Sequence, residues 1–316
     1  MSTVLKYDTR ARVRTIDRPC NARKNTAGRA PCSATALLEQ MDDDRLVVSS
    51  HHSRVCLVEL NRPTALNAWV DDSFHHMREC LEAAAADASI AVVVITGRGR
   101  AFSAGADMKE MGTNAESGGG EGDEIRASSE PIPADPADSA FGRRLRAVTD
   151  FPKPLIAAVN GVGVGWGMTI LGHCDFVFMS NSARLRTPFT QLGLTAEAAS
   201  SITFAMKMGW QNAAHVLMSS EWFSAEEAKE LGLVFKVTEP EALLEETMAY
   251  AERLAAQPID SLVATKRLML GGGRTEAVMS AHHREMAAFS RLMGSPANRE
   301  AVRAFAEKRA PDFSKL

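Results

Sequence analysis

The chain has 316 residues, of which 45% are hydrophobic and 24% charged, and its formal net charge at pH 7 is -3. This composition is typical of a globular protein with one large core or two closely joined cores. The small net charge gives no reason to expect nucleic-acid binding. No stretch reaches the roughly 18 uninterrupted apolar residues of a membrane helix, so no membrane span is expected.

Cysteine and histidine usage argues against disulfides and metals. The chain has five cysteines, an odd number, and none of them forms a C-x-x-C motif. This pattern favours a reducing compartment over a disulfide framework or a zinc site. The eight histidines form no H-E-x-x-H motif. We therefore predict no metal site.

The first 45 residues are predicted to be a flexible basic extension. Residues 1–32 contain eight Lys or Arg against two Asp, which also suggests a mitochondrial presequence. The segment shows no clear apolar helical face, which favours a disordered arm. Mitochondrial targeting remains the alternative interpretation.

A core of alternating strands and helices is predicted from residue 46 to residue 250. Short apolar runs predict strands at 46–48, 55–60 and 90–96, and three-and-four spacing of apolar residues predicts a helix over 68–86. Residues 102–107 are small and predict a turn. Residues 112–140, rich in glycine, proline and acids, predict a mobile surface insertion.

The same alternation resumes after the insertion. We predict a helix at 141–149, strands at 155–159, 176–179 and 234–237, a glycine turn at 161–167 and a helix that begins at Trp166. Further helices are predicted at 196–208, 213–217, 225–231 and 241–256, with Ser224 and Glu227 as a capping box. The fold class is therefore α/β.

The tail, residues 251–316, is predicted to be helical, with helices at 259–270 and 275–308. The last three residues, Ser314, Lys315 and Leu316, match the C-terminal signal read by the peroxisomal import receptor. We therefore expect a peroxisome or a related organelle such as the glycosome.

Five segments of the chain form a series of motifs in a fixed order. They are Asn61-Arg62-Pro63 with Leu66-Asn67, the A-F-S-A-G-A-D stretch at 101–107, the K-P-L-I-A-A-V-N-G stretch at 153–161, Cys174-Asp175, and the T-P-F-T-Q-L-G stretch at 187–193. This series resembles the crotonase (enoyl-CoA hydratase/isomerase) superfamily over about residues 46–270, and its order makes the resemblance specific. The resemblance implies a spiral of repeated ββα units followed by a C-terminal helical region.

The resemblance also implies a site for negative charge on a thioester oxygen. It places two backbone N–H donors at Ala104 and Trp166, both in turns of small residues. Trp166 stands at a predicted helix start, where the helix dipole adds positive potential. The family more often has glycine at that position.

Two positions argue against hydration. Hydratases of the superfamily use two glutamates to activate water, and the corresponding residues here are Thr169 and Phe189. Neither side chain can act as a carboxylate base.

A different carboxylate stands at Glu197, and the segment 187–201 resembles the peroxisomal Δ3,Δ2-enoyl-CoA isomerase branch. That resemblance implies that Glu197 moves a proton from C2 to C4 of a 3-enoyl thioester and gives the 2-trans-enoyl product. Apolar neighbours should raise the pKa of Glu197, while a predicted helix start at Ala196 should lower it. The alternative interpretation is a solvated acid in the first turn of a helix.

Coenzyme A would be part of the substrate, so no separate cofactor is required. By resemblance its groove is lined by Ala65, Leu66 and the segment Ala104, Gly105, Ala106, Asp107, Met108, and phosphate contacts are predicted at Lys109 and at Lys266-Arg267. A solvated charged surface is the competing explanation for the lysines. Trp69, Phe74, Met108 and Met111 are candidates for the acyl tunnel or for ordinary core.

Three alternatives remain open. A hydratase would need a second carboxylate near Glu197, for which Glu110 and Glu116 are the loop candidates. A dienoyl-CoA isomerase would use further acids. An acyl-CoA-binding homologue could retain the fold without catalysis. The superfamily resemblance also implies a homotrimer or hexamer built through the helical tail.

Overall fold

The computed structural model describes residues 45–107 and 140–316. The ten strands there are β1 (Val47–His52), β2 (Val55–Leu60), β3 (Val92–Gly97), β4 (Ala101–Ser103), β5 (Leu155–Val159), β6 (Val162–Val164), β7 (Phe176–Ser180), β8 (Arg184–Arg186), β9 (Trp222–Ser224) and β10 (Lys236–Thr238). The ten α-helices of these same ranges are α1 (Asp71–Ala86), α2 (Ala140–Thr149), α3 (Trp166–Thr169), α4 (Ser200–Met208), α5 (Trp210–Ser219), α6 (Ala225–Glu230), α7 (Leu243–Ala255), α8 (Ile259–Leu270), α9 (Arg274–Leu292) and α10 (Pro296–Ala306). Short 3-10 turns cover Pro63–Ala65, Ile170–Gly172 and Thr190–Leu192.

The larger sheet has six strands in the order β1-β2-β3-β5-β7-β10. β1 pairs antiparallel with β2, and every other pair in this sheet is parallel. The residues of β3 and β5 are all buried, as expected for parallel strands covered on both faces. On one face Val94, Ile156 and Phe178 pack with α7 residues such as Leu243, and side chains on the other face join the main core.

The smaller sheet has four strands in the order β4-β6-β8-β9. Each of its first three strands follows a strand of the larger sheet along the chain, so β3-β4, β5-β6 and β7-β8 are three successive units. The paired strands β4, β6 and β8 run parallel. This repetition confirms the predicted α/β spiral of ββα units. It also corrects two predictions, because the turn predicted at 102–107 overlaps the end of β4 and the turn predicted at 161–167 contains β6.

Most helices begin and end within about three residues of the predicted bounds, and two differ by more. The helix predicted from Ala196 begins at Ser200 because Ala198 and Ala199 are left-handed, with φ of 57° and 55°. The helix predicted over 275–308 is two helices, since Gly294 has a φ of 69° and Ser295 caps α10. The predicted capping box of Ser224 and Glu227 is confirmed.

Three sequence predictions lie wholly or almost wholly outside the described residues: the extension 1–45, the insertion 112–140, and the loop acids Glu110 and Glu116. Within the described ranges, no helix combines the length and apolarity needed to cross a lipid bilayer.

Candidate active site

Strands β4 and β6 approach each other so closely that side chains are excluded between the turns that follow them. A Cβ atom added to Gly105 would lie 2.7 Å from the carbonyl oxygen of Val164. A Cβ atom added to Gly167 would lie 2.5 Å from the carbonyl oxygen of Ser103. Both distances are impossible for real side chains, so glycine is required for the two backbone segments to touch. The two turns predicted from the sequence to hold the oxyanion donors are therefore neighbours.

The segment after β4 is also joined to the segment after β2. The N–H of Trp69 donates to Gly105 at 2.8 Å, and the N–H of Asp107 donates to Trp69 at 3.0 Å. Arg62 adds an ion pair with Asp107 at 3.1 Å. The structure thus brings together the predicted groove residues Ala65, Leu66, Ala104, Gly105, Ala106 and Asp107. Met108, Lys109 and Met111 lie outside the described residues.

One predicted oxyanion donor is engaged elsewhere. The N–H of Ala104 donates to the carbonyl oxygen of Leu66 at 2.9 Å. An N–H in that hydrogen bond is not available to a thioester oxygen, so the catalytic role predicted for Ala104 is contradicted. The N–H of Ala106 differs, because it has no acceptor among the residues the structure describes. Ala106 lies two residues after Ala104 in the same turn and is exposed to solvent.

The second predicted donor, Trp166, is the first residue of α3. The N–H groups of a first helical turn have no acceptor within their own helix and project from its N-terminal end. Gly165 precedes it with a φ of 53° and a ψ of -120°, a conformation that side chains forbid. The indole of Trp166 is buried and meets Trp69 and Phe74 edge-on, at centroid distances of 6.1 and 5.2 Å. The Trp166 side chain therefore fixes this turn by packing against Trp69 and Phe74.

Glu197 stands in the loop that precedes α4. Its Oε1 atom would lie 3.6 Å from a Cβ atom added to Gly165, and the same Cβ atom would be 4.0 Å from Cα of Gly105. Burial, and then the negative charge of Glu285, raise the pKa of Glu197 to about 7. The sequence predicts a helix start at Ala196 that would oppose this rise in pKa. The helix α4 begins instead at Ser200, three residues after Glu197. The carboxyl is therefore close to both turns and is poised to exchange protons near neutrality.

Two residues that the sequence analysis missed hold the loop of Glu197. Glu285 of α9 accepts hydrogen bonds from the N–H groups of Ala199 at 2.6 Å and Ser201 at 2.9 Å. His173 contacts the carbonyl oxygen of Ala198 through Nε2 at 2.8 Å. Both residues are far from Glu197 in sequence, and no motif or spacing marks either of them.

The two positions at which hydratases carry glutamates are uncharged and buried. Thr169 ends α3 with no exposed surface, and Phe189 is almost fully buried. The hydroxyl of Thr169 has no hydrogen-bond partner in the described part of the chain. Glu285 is a carboxylate near Glu197, but each of its oxygens already accepts a backbone N–H.

The phosphate contact predicted at Lys266 is wrong. Lys266 is only 6% exposed, and its Nζ donates to Asp175 at 2.7 Å and to the carbonyl oxygen of Lys153 at 2.8 Å. Asp175 in turn accepts the N–H of Leu155 at 2.7 Å. Lys266 therefore links α8 to the starts of β5 and β7. Its ammonium group is committed to the protein interior.

Comparisons with known proteins agree with the fold and the motifs. The family model described as enoyl-CoA hydratase/isomerase matches residues 50–315. The chain therefore belongs to the enoyl-CoA hydratase/isomerase family, within the crotonase superfamily. No group of residues suited to holding a metal ion occurs in the ranges that the structure describes.

Individual relatives carry different activities in their names. A 2,3-dehydroadipyl-CoA hydratase of Escherichia coli is 33% identical over 84% of this chain and 98% of its own. A 1,2-epoxyphenylacetyl-CoA isomerase of the same organism is 29% identical over 85% of this chain and 98% of its own. The crystal structure of an enoyl-CoA hydratase/isomerase from Pseudoalteromonas atlantica superposes with a TM-score of 0.73 at 32% identity, covering 85% of this chain and 99% of that one.

Proposed function

We propose that this protein is a Δ3,Δ2-enoyl-CoA isomerase in which Glu197 is the proton carrier. The observation that carries the proposal is the position of the Glu197 carboxyl against Gly165, directly before the N-terminal end of α3. A thioester carbonyl held at this end would present its C2 hydrogens to a base on the adjacent loop. The pKa of Glu197, raised to about 7, suits a group that must both accept and return a proton.

The proposed reaction needs one acid-base group. Glu197 removes a proton from C2 of the 3-enoyl thioester, and the electrons move onto the thioester oxygen as a dienolate. The N–H groups of Ala106 and Trp166 stabilise that oxygen. The protonated Glu197 then delivers the same proton to C4, and the double bond is left between C2 and C3. Nothing is added to the substrate or removed from it.

The coenzyme A portion of the substrate is proposed to lie along the segments around Leu66 and Ala106. Their backbones are joined by hydrogen bonds and end in the turn that faces Gly165. This arrangement would lead the thioester toward Glu197. Trp69 and Phe74, stacked at a centroid distance of 4.7 Å, would form an apolar wall for the acyl chain.

Enoyl-CoA hydratase is the second candidate, because several relatives bear that name. Two-carboxylate activation of water is disfavoured here, since Thr169 and Phe189 replace both glutamates. Glu285 is a poor substitute because backbone N–H groups occupy both of its oxygens. The isomerase proposal requires no second carboxylate, and for that reason we prefer it.

One assay separates the two candidates, because they change absorbance in opposite directions. An isomerase creates a conjugated enoyl thioester from a 3-enoyl-CoA, whereas a hydratase consumes one. Purified protein should convert 3-enoyl-CoA, and Glu197→Gln should lower kcat by about a thousandfold or more, since removing the only proton carrier removes the acid-base contribution. Glu276→Gln, on an exposed turn of α9, is the matched control. Hydration of 2-trans-enoyl-CoA without isomerisation would reverse the assignment, and binding without turnover would indicate a non-catalytic homologue.

A homo-oligomer assembled through the helical tail is proposed as the working state. The side chains of Leu268, Met269 and Phe305 are 83%, 71% and 70% exposed. Large apolar side chains so exposed favour association with a further surface. Light scattering at defined protein concentrations should give a multiple of three chains, and a stable monomer would overturn this proposal.

A further inference from the structure

The peptide group between Ala198 and Ala199 is held at both of its polar ends. Its carbonyl oxygen accepts a hydrogen bond from Nε2 of His173 at 2.8 Å. Its N–H donates to Oε2 of Glu285 at 2.6 Å, and the other oxygen of that carboxylate takes the N–H of Ser201. Thus the second peptide after Glu197 is held by two side chains from different parts of the chain.

The chemistry of these contacts assigns the tautomer of His173. A carbonyl oxygen only accepts, so Nε2 must carry the hydrogen. Nδ1 must then accept, and the hydroxyl of Thr149 lies 3.0 Å from it. Burial lowers the pKa of His173 to about 4, so the ring is neutral at physiological pH and keeps this arrangement.

The two residues joined by this peptide, Ala198 and Ala199, have a backbone conformation that is unfavourable for alanine. Ala198 and Ala199 both have positive φ, of 57° and 55°. Two consecutive left-handed residues without glycine persist only where the surroundings hold them. Glu285 and His173 supply the contacts to this peptide from distant parts of the chain, and Glu285 also lies favourably at the N-terminal end of the nine-residue helix α4.

We propose that His173 and Glu285 are positioning residues that hold the strained 198–199 peptide and thereby place the carboxyl of Glu197 against Gly165. This inference rests on the proposed role of Glu197 in proton transfer. Neither residue is proposed to touch the substrate. Loss of either hydrogen bond should let the loop relax and move the carboxyl away from the reacting carbon.

If Glu285 and His173 position Glu197, their replacement should slow turnover without weakening substrate binding. A base displaced by about 1 Å costs up to 100-fold in turnover, whereas groups that bind coenzyme A are unaffected. Glu285→Gln should therefore lower kcat about 10- to 100-fold with little change in KM. The same variant should lower the pKa of Glu197, because it removes the neighbouring negative charge. The other ionisable groups acting on Glu285 and His173 are Arg284, Arg274, Lys207 and His282, and they are unchanged in the variant.

Two substitutions of His173 test the hydrogen bond to the carbonyl oxygen of Ala198. His173→Gln places an amide nitrogen near the position of Nε2 and can still donate to Ala198. His173→Asn reproduces Nδ1 instead and cannot reach that oxygen. The asparagine variant should lose at least about tenfold more kcat than the glutamine variant, since only the former lacks the hydrogen bond. Equal kcat in the two variants would overturn the role of His173, and this comparison remains decisive if Glu285→Gln does not fold.

The decisive experiment follows the carboxyl of Glu197 by NMR in full-length protein with carbon-13-labelled glutamate, with Glu197→Gln assigning the signal and Glu276→Gln as control. His173 is neutral, so its replacement removes no charge from the surroundings of Glu197, and a titration midpoint of Glu197 that moves in His173→Asn but not in His173→Gln reports displacement of the carboxyl. That difference, together with the lower kcat of His173→Asn, supports the proposal, and equal midpoints in the two variants overturn it. If wild type does not isomerise 3-enoyl-CoA but the midpoint differs between the two variants, the proposed function fails and the positioning of Glu197 stands.

Discussion

The carboxyl of Glu197 lies against the backbone of Gly165, so that a methyl group placed on Gly165 would be 3.6 Å from Oε1. This contact joins the loop before α4 to the turn before α3, two segments separated by β7 and β8. It brings a base with a raised pKa beside a helix N-terminus.

The pH dependence of turnover should report Glu197. The base must be ionised to accept the C2 proton, and burial raises its pKa to about 7. We therefore expect kcat/KM to rise with pH and to level off above a midpoint near 7. Measurement of kcat/KM between pH 5 and 9 tests this expectation. A midpoint near the ordinary glutamate value would contradict the assignment of Glu197 as the base.

Glu197 should also make the protein less stable as the pH rises. Because its pKa is raised from 4.5 to about 7 in the folded state, the folded protein binds this proton more tightly than the unfolded chain does. The associated stability is present at low pH and is lost as pH increases through about 7. Glu197→Gln should therefore exceed wild type by up to about 3 kcal/mol at pH 8, with a smaller difference at pH 5. Urea unfolding at both pH values provides the measurement, and a constant difference would contradict the prediction.

Gly165→Ala should damage activity more than stability. At φ of 53° and ψ of -120° an alanine is strained, and its methyl group would enter the space between Glu197 and Gly105. Gly209→Ala is the control, because Gly209 also has positive φ, of 79°, but has nothing within 4 Å of an added Cβ. Both variants should lose about 1 to 3 kcal/mol of stability, because both backbone conformations are ones that only glycine adopts readily. Only Gly165→Ala should lose kcat, and equal kinetic effects would argue against the site.

Lys266→Met should destabilise the fold without weakening coenzyme A binding. It leaves the half-buried carboxylate of Asp175 without its cation, which costs about 2 to 4 kcal/mol after allowance for partial exposure. KM for the thioester should stay the same. Lys229→Met, at an exposed position on α6, should change neither quantity. A raised KM with unchanged stability would restore Lys266 as a phosphate contact.

Local patterns predicted much of the fold. The apolar run at 155–159 and the capping box of Ser224 depend on neighbouring residues alone, and both appear as expected. The sequence predicts that α4 begins at Ala196, four residues before its observed start at Ser200. Nothing local to Ala198 and Ala199 signals a left-handed backbone, which here is accompanied by hydrogen bonds to residues about 25 and 86 positions away along the chain.

The α/β class, the family motifs and the candidacy of Glu197 can be read from the chain before it folds, because they depend on the identity and order of neighbouring residues. Three features required the folded chain: the N–H of Ala104 donates to Leu66, Lys266 is buried against Asp175, and Glu285 reaches the loop of Glu197. Each of these is a single contact between distant segments. Periodicity and composition do not encode such contacts, since they form only when the strands and helices have packed.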